Sequence, residues 1–436
     1  MFSKIAKILW GNVSQKEIKQ FGLLASIFFF IIGAYWMLRA MKTALFLKIV
    51  GGSFLGHAKF GSVLFLIILV LFYSKLVDLF TKQNLVYLIT TVYGVLFIGI
   101  TYFLMHPTIG LANTTPDGKR FFGWFIYLII ESFGSIVVAL FWSFVASSVN
   151  SDSAKRGYPI IIFGAQLGAV LGTFMDLQVG YVGIPILFGI AIAAIFAVPA
   201  LTALFMKLHA PSNQDVFPKE IVASKGTGPV EGLRLLCTRP YLIGILGLST
   251  LYTIIETILD LQMYSLANQV YLSPEKVTEF SAFYGLCANI LSLVFSLVGT
   301  SFFIREFGLT ACLVLYPITV AIAVCGVWAC PTLWVFVGAI VAIKGLSYAL
   351  NNPCKEIMYI PTSKDIRFKT KSWIDTFGAR SAKGAGGLVV AAFPLVSDLI
   401  AYGSAISLGI IGVWIGAAFF VGTKNRELVE QNRLIE

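Results

Sequence analysis

Apolar stretches of about twenty residues recur along this chain, each long enough to cross a hydrocarbon core of roughly 30 Å as an α-helix. Spans are expected near 21–47, 58–80, 85–105, 122–148, 158–177, 180–206, 241–268, 278–303, 308–328, 332–352, 372–395 and 398–422. Inside lipid the backbone finds no water to bond, so each span must satisfy itself as a helix. Composition points the same way. Of 436 residues, 58% are hydrophobic and 12% charged, with a mean hydropathy of +0.87, whereas a soluble domain is roughly a quarter charged. A soluble globule this apolar would expose large greasy patches to water. The expected fold class is an all-α membrane protein with about twelve transmembrane helices.

Orientation follows from the basic residues of the loops. With the N-terminus in the cytoplasm, the outer loops hold Lys48, Lys59, Lys119, Arg120 and Lys276. The inner segments, from Lys4 and Lys7 through Lys155 and Arg156 to Lys424 and Arg426, hold roughly four times as many. Both termini are therefore expected in the cytoplasm of a bacterial inner-membrane protein. The net charge of +11 reads as this bias and needs no nucleic-acid partner. The first residues, MFSKIAKILWGNVSQKEIKQ, are basic without a small-residue cleavage site, which suits a short amphipathic helix on the membrane surface. His57, His106 and His209 are scattered, and the cysteines form no CxxC pair, so neither a metal centre nor a cofactor is expected. No G-x-x-x-x-G-K-[ST] loop is present, so the chain is not expected to be an enzyme that hydrolyses ATP.

The longest polar interruption, 207–240, contains Pro211, Pro218, Gly226, Gly228 and Pro229. It reads as a cytoplasmic linker between an N-terminal six-helix half, 1–206, and a C-terminal one, 241–436. A weak internal repeat supports the division. Phe163-Gly164-Ala165-Gln166 opens a glycine-rich helix, and Phe377-Gly378-Ala379-Arg380 opens a similar one 214 residues later. Two pseudo-symmetric halves of this kind make the architecture major-facilitator-like.

Ionisable groups at membrane depth are costly unless they face water or a partner, which makes each a functional candidate. Arg39 and Lys42 lie in the first span, Glu131 in the fourth, Glu256 and Asp260 in the seventh. Lys344 lies in the tenth with Lys355 just beyond, and Asp375, Arg380 and Lys383 lie in the eleventh. The repeat offset carries Lys42 onto Glu256 and Glu131 to the side of Lys344, so matching places bear opposite charges. In a two-fold bundle these helices would line a central cavity, where the cations pair with the carboxylates when it is empty and with phosphate when it is full. The plainer reading lets Arg39 and Lys42 snorkel to headgroups, makes Lys355 a surface lysine, and makes Asp375 and Arg380 a structural pair. Glu131 and Glu256 resist it, being short carboxylates inside long apolar runs.

Four segments resemble the non-mitochondrial ATP/ADP translocases, the nucleotide transporters of plastids and obligate intracellular bacteria. Tyr35 to Lys42 is similar to the family's Y-x-x-L-R-x-x-K. Glu131-Ser132-Phe133-Gly134-Ser135 resembles its E-x-x-G-S, and Glu279 to Gly285, after Pro274, its E-[YF]-S-A-F-x-G. Asn352 to Pro361, with Lys369, Lys371, Ile374-Asp375, Gly378-Ala379-Arg380 and Lys383-Gly384, resembles its run from P-x-K-E through Y-I-P to the GAR and glycine block. A monomer is expected, and separately the resemblance implies a twelve-helix antiporter in the lipid bilayer, exchanging ATP and ADP. It places substrate contacts on Lys42, Glu131, Glu256 and either Lys355 or Lys383, joined by Arg39, Lys344 and Arg380 from the charge argument. The family's acidic residue after the first-helix lysine is Thr43 here, and its E-V-T-W-K reads Glu256-Thr257-Ile258-Leu259-Asp260. One cation fewer and one anion more open two alternatives. One is NAD/ADP exchange; the other is proton-coupled nucleotide import, with Glu131 or Asp260 carrying the ion. A non-transporting membrane scaffold is the alternative from another class.

Overall fold

The computed structural model describes residues 15–149, 151–209, 236–298, 300–359, 361–362, 370 and 373–431. Residues 1–14 of the expected surface helix and 210–235 of the central linker lie outside the described residues, whereas residues 15–20 begin the first spanning helix. A helix occurs at each expected span: α1 (Gln15–Ile49), α2 (Leu55–Leu79), α3 (Lys82–Leu104), α4 (Phe121–Ser148), α5 (Ser151–Asp176), α6 (Ile184–His209), α7 (Pro240–Val270), α8 (Pro274–Val298), α9 (Thr300–Ala329), α10 (Leu333–Leu346), α11 (Ala379–Ala391) and α12 (Val396–Glu430). Nine helices among the described residues are long and apolar enough to cross a membrane, while the apolar parts of α5 and α10 are shorter.

The edges differ from expectation where backbone irregularity enters. The eighth span stops at Val298, and residues expected at its end begin α9 instead. Within α9 the helix breaks at Gly308, whose φ of 76° lies in the left-handed region that only glycine enters freely. Beyond α10 the chain continues as a π-type turn, Ser347–Asn351, and a short helix, Asn352–Met358. A second π-type turn, Ile374–Gly378, leads into α11. Phe163 does not open its helix, because α5 begins twelve residues earlier at Ser151.

The chain forms two compact units. The first comprises Met1–Gly51, Leu64–Val222 and Tyr271–Leu286, and the second Gly52–Val63, Ala223–Val270 and Cys287–Glu436. Each is built around a small-residue ladder, the device by which helices approach closely where lipid removes the usual hydrophobic drive. In the first unit a Cβ on Gly168 would lie 2.3 Å from the Phe29 carbonyl oxygen, and one on Gly172 2.4 Å from that of Gly33. In the second, Gly378 packs on Leu246 and Thr250, and a Cβ on Gly386 would lie 2.9 Å from the Ile254 carbonyl oxygen. Gly172 and Gly386 are 214 residues apart, but their partners Gly33 and Ile254 are 221 apart. The sequence offset thus matches α5 to α11 and misses α1 against α7 by two turns. By packing, Asp260 rather than Glu256 marks the place in α7 of a first-helix cation, and that cation is Arg39.

Candidate functional site

In the first unit, Lys42 on α1 and Glu131 on α4 form an ion pair whose side chains are 6% and 14% exposed. The lysine Nζ also lies 4.5 Å from the ring centre of Tyr127, one turn before Glu131 on α4. An ammonium this buried needs a charged partner, and the electron-rich ring adds a second, weaker attraction. Tight packing holds the two helices in register. A Cβ on Gly134 would lie 2.1 Å from the Tyr35 ring, so glycine there is what lets α1 approach α4. Beside Glu131, Ser132 donates to the Ile129 carbonyl at 2.8 Å and shares a 2.8 Å hydrogen bond with the buried Tyr93 hydroxyl. The Arg39 guanidinium stacks 4.8 Å from the Trp36 ring, half-buried.

In the second unit, Tyr252, Glu256 and Asp260 follow one another at four-residue steps, on one face of α7. Lys344, near the end of α10, reaches both carboxylates: 3.0 Å to Asp260 Oδ2 and 3.5 Å to Glu256 Oε1. Tyr252, Tyr316 and Trp414 pack as three rings with centroids 5.6 to 5.9 Å apart. The buried Tyr316 hydroxyl donates to the Ile343 carbonyl at 3.1 Å, which ties the ring cluster to the backbone just before Lys344. Lys355 lies beyond the π-type turn, its Nζ 5.6 Å from the Tyr252 ring centre. The end of its short helix is anchored in turn. Tyr241 donates to the Met358 carbonyl at 2.7 Å and accepts from Asn425 Nδ2 at 2.8 Å.

The structure therefore brings Lys42 to Glu131, and Lys344 to Glu256 and Asp260, with Lys355 next to them over Tyr252. Arg380 is half-buried and Lys383 exposed, near the start of α11. The Asp375 side chain lies outside the described residues. Sequence reasoning missed the two tyrosines, although each stands four residues before a glutamate (Tyr127 to Glu131, Tyr252 to Glu256), a spacing that puts both groups on one helix face. It also passed over Asp176, at the end of α5, which is fully buried with neither carboxyl oxygen bonded among the described residues. No group of three or more His, Cys, Asp or Glu side chains is placed to hold a metal ion among the described residues. Chemically, each cluster sets a buried lysine in an ion pair with carboxylate: one in the first unit, two in the second.

The profile described as TLC ATP/ADP transporter matches residues 1–424. The chain is 25% identical to ADP,ATP carrier protein 1 of Rickettsia prowazekii (strain Madrid E), covering 99% of this chain and 98% of the relative. It is 26% identical to the chloroplastic ADP,ATP carrier protein 2 of Arabidopsis thaliana, covering 93% and 75%. Among solved structures, a bacterial homologue of the iron transporter ferroportin in its inward-facing state matches with a TM-score of 0.68, at 12% identity over 94% of this chain and 100% of the other. The nucleoside transporter NupG matches with a TM-score of 0.63, at 12% identity over 93% and 99%. At such identities the structural likeness establishes the fold alone, that of a major-facilitator-like transporter.

Proposed function

Because the chain belongs to the TLC ATP/ADP transporter family, we propose that this membrane transporter is an antiporter exchanging ATP and ADP. The observation that carries the reading is a buried, carboxylate-held lysine in each unit: Lys42 with Glu131, and Lys344 with Glu256 and Asp260. A phosphate that reaches either cluster takes the lysine from its carboxylate, so no buried ammonium is left without a counter-charge, the costly condition. Arg39, Lys355, Arg380 and Lys383 supply the further positive charge, with Lys355 placed next to the second cluster. The chain works as a monomer with both termini in the cytoplasm, its halves 1–206 and 241–436 joined by the linker 207–240. The role is transport and not catalysis.

The test is uptake of labelled ADP by vesicles containing the protein, chased with unlabelled ATP, ADP, GTP, NAD and deoxynucleotides. ATP and ADP should compete best, and Lys42→Ala should abolish exchange. Failure of every nucleotide to compete would overturn the reading and favour a scaffold role. One observation favours a second reading, exchange of a less charged nucleotide such as NAD for ADP. Lys344 answers to two carboxylates, which lowers the positive charge available to a tetra-anion. NAD outcompeting ATP in the same panel would select it.

A further inference from the structure

We propose that Tyr241 and Asn425 are positioning residues for Lys355: together they fix the short helix Asn352–Met358 and so set where its lysine meets a nucleotide phosphate. The inference rests on the nucleotide reading above and adds to it a pair of side chains outside the charge clusters. The helix has seven residues, well under the roughly 12 to 15 that an isolated helix needs to persist in water. Its place is therefore decided by what it is tied to. The last carbonyls of any helix lack partners within it, and one left buried and unbonded is costly. Here the carbonyl of Met358, the final residue, accepts a 2.7 Å hydrogen bond from the Tyr241 hydroxyl. Tyr241 Oη in turn accepts a 2.8 Å hydrogen bond from Asn425 Nδ2, in the last two turns of α12. Tyr241, Asn425 and Met358 are all buried, and all three belong to the second unit.

The chain of bonds has a direction. A phenol both donates and accepts, and the Asn425 amide takes its accepting side, which leaves the hydroxyl proton for Met358. Asn425 thus orients Tyr241, and Tyr241 holds the helix. Lys355 lies one turn before Met358, and its Nζ is 5.6 Å from the Tyr252 ring centre. Tyr241 and Tyr252 stand eleven residues apart on α7, about three full turns, so they share a face. One face of α7 therefore grips the backbone of the short helix at one point and receives its lysine at another. Glu256 and Asp260 continue along the same rod, where they hold Lys344. Releasing the grip moves Lys355 and leaves the Lys344 cluster in place.

The test is equilibrium binding of labelled ADP to the purified full-length protein, read as a double-mutant cycle. Tyr241→Phe keeps the ring and removes the grip, and should weaken binding about tenfold. Asn425→Ala leaves Tyr241 bonded but less well oriented, and should weaken it about threefold. Because the two act in series, Asn425→Ala should add nothing to Tyr241→Phe. Both losses should vanish in a Lys355→Gln background, which has no ammonium left to misplace. Tyr316→Phe makes the same deletion beneath Lys344, where the hydroxyl serves the Ile343 carbonyl, and Lys355→Gln should not absorb its effect. Losses that multiply with Lys355→Gln, or an absorption shared by Tyr316→Phe, would mark a general loosening of the fold and overturn the assignment. An affinity unchanged in Tyr241→Phe overturns it as well. Should Tyr241→Phe not fold, Asn425→Ala with and without Lys355→Gln decides in the same way. A wild type that binds none of ATP, ADP and NAD sinks the nucleotide reading and this one with it, whereas binding with multiplying losses sinks this one alone.

Discussion

The two units solve one problem with opposite polarity. In the first, the cation is on the leading helix and the carboxylate on the fourth, and they stand one to one, Lys42 with Glu131. In the second, the carboxylates are on the leading helix and the cation on the fourth, and they stand two to one, Glu256 and Asp260 with Lys344. Each cluster sets a lysine over a tyrosine ring one turn from its glutamate. The first unit uses a single lysine for both contacts, whereas the second divides them between Lys344 and Lys355. A one-to-one pair depends on both members, since losing either removes that ion pair altogether. A shared lysine tolerates loss of one carboxylate but makes its own loss doubly harmful.

That difference fixes an order of effects. Lys344→Met takes a counter-charge from two neighbouring carboxylates and should be the most damaging, lowering stability by about 3–5 kcal/mol and nucleotide exchange at least about 100-fold, as read by thermal unfolding in detergent and by labelled ADP uptake. Lys42→Met takes a counter-charge from one, so its stability loss should fall near the lower end, about 3 kcal/mol. Adding Glu131→Gln should restore the stability of Lys42→Met without restoring exchange. If Lys42→Met proves the more destabilising of the two lysine variants, the two-to-one description fails. Glu256→Gln leaves Lys344 with Asp260 and should cost about tenfold in exchange, or ~1.4 kcal/mol. A larger loss than Glu131→Gln causes would reverse the comparison. Least harmful are Tyr127→Leu and Tyr252→Leu, each removing a cation–ring attraction of about 0.5–2 kcal/mol. Tyr127→Leu should cost more, because its lysine is the one that also holds the glutamate.

The spans were legible because bilayer thickness sets a minimum length for each apolar run, whatever packs against it. The charged residues were legible for a related reason: Glu131 or Asp260 inside an apolar run is conspicuous. Their partners were harder. The repeat pointed from Lys42 to Glu256 as matching places, but the ladders beneath α1 and α7 differ by seven residues, which a four-residue motif on α5 and α11 carries no record of. Tyr127 and Tyr252 stood among 17 tyrosines in an aromatic-rich chain, and Tyr271 before Glu275 shares their spacing to glutamate, so spacing alone did not single them out. The π-type turns left no trace in the residue pattern, since such turns arise from how a helix meets its neighbours. Lys355 and Lys383 looked alike in sequence, but the structure seats the first over a ring beside the charge cluster and puts the second on an exposed face.

The turn at Ser347–Asn351 has a geometric consequence for the two lysines it separates. Eleven residues make about three full α-turns, so in an unbroken helix Lys344 and Lys355 would point the same way. One residue of widened winding delays everything after it by roughly 100°. The turn therefore acts as a phase shifter, resetting Lys355 relative to Lys344 so that the first lies over Tyr252 while the second reaches Glu256 and Asp260 on the same face of α7. Excising one residue there would straighten the rod and swing Lys355 off its aromatic seat without altering any charge.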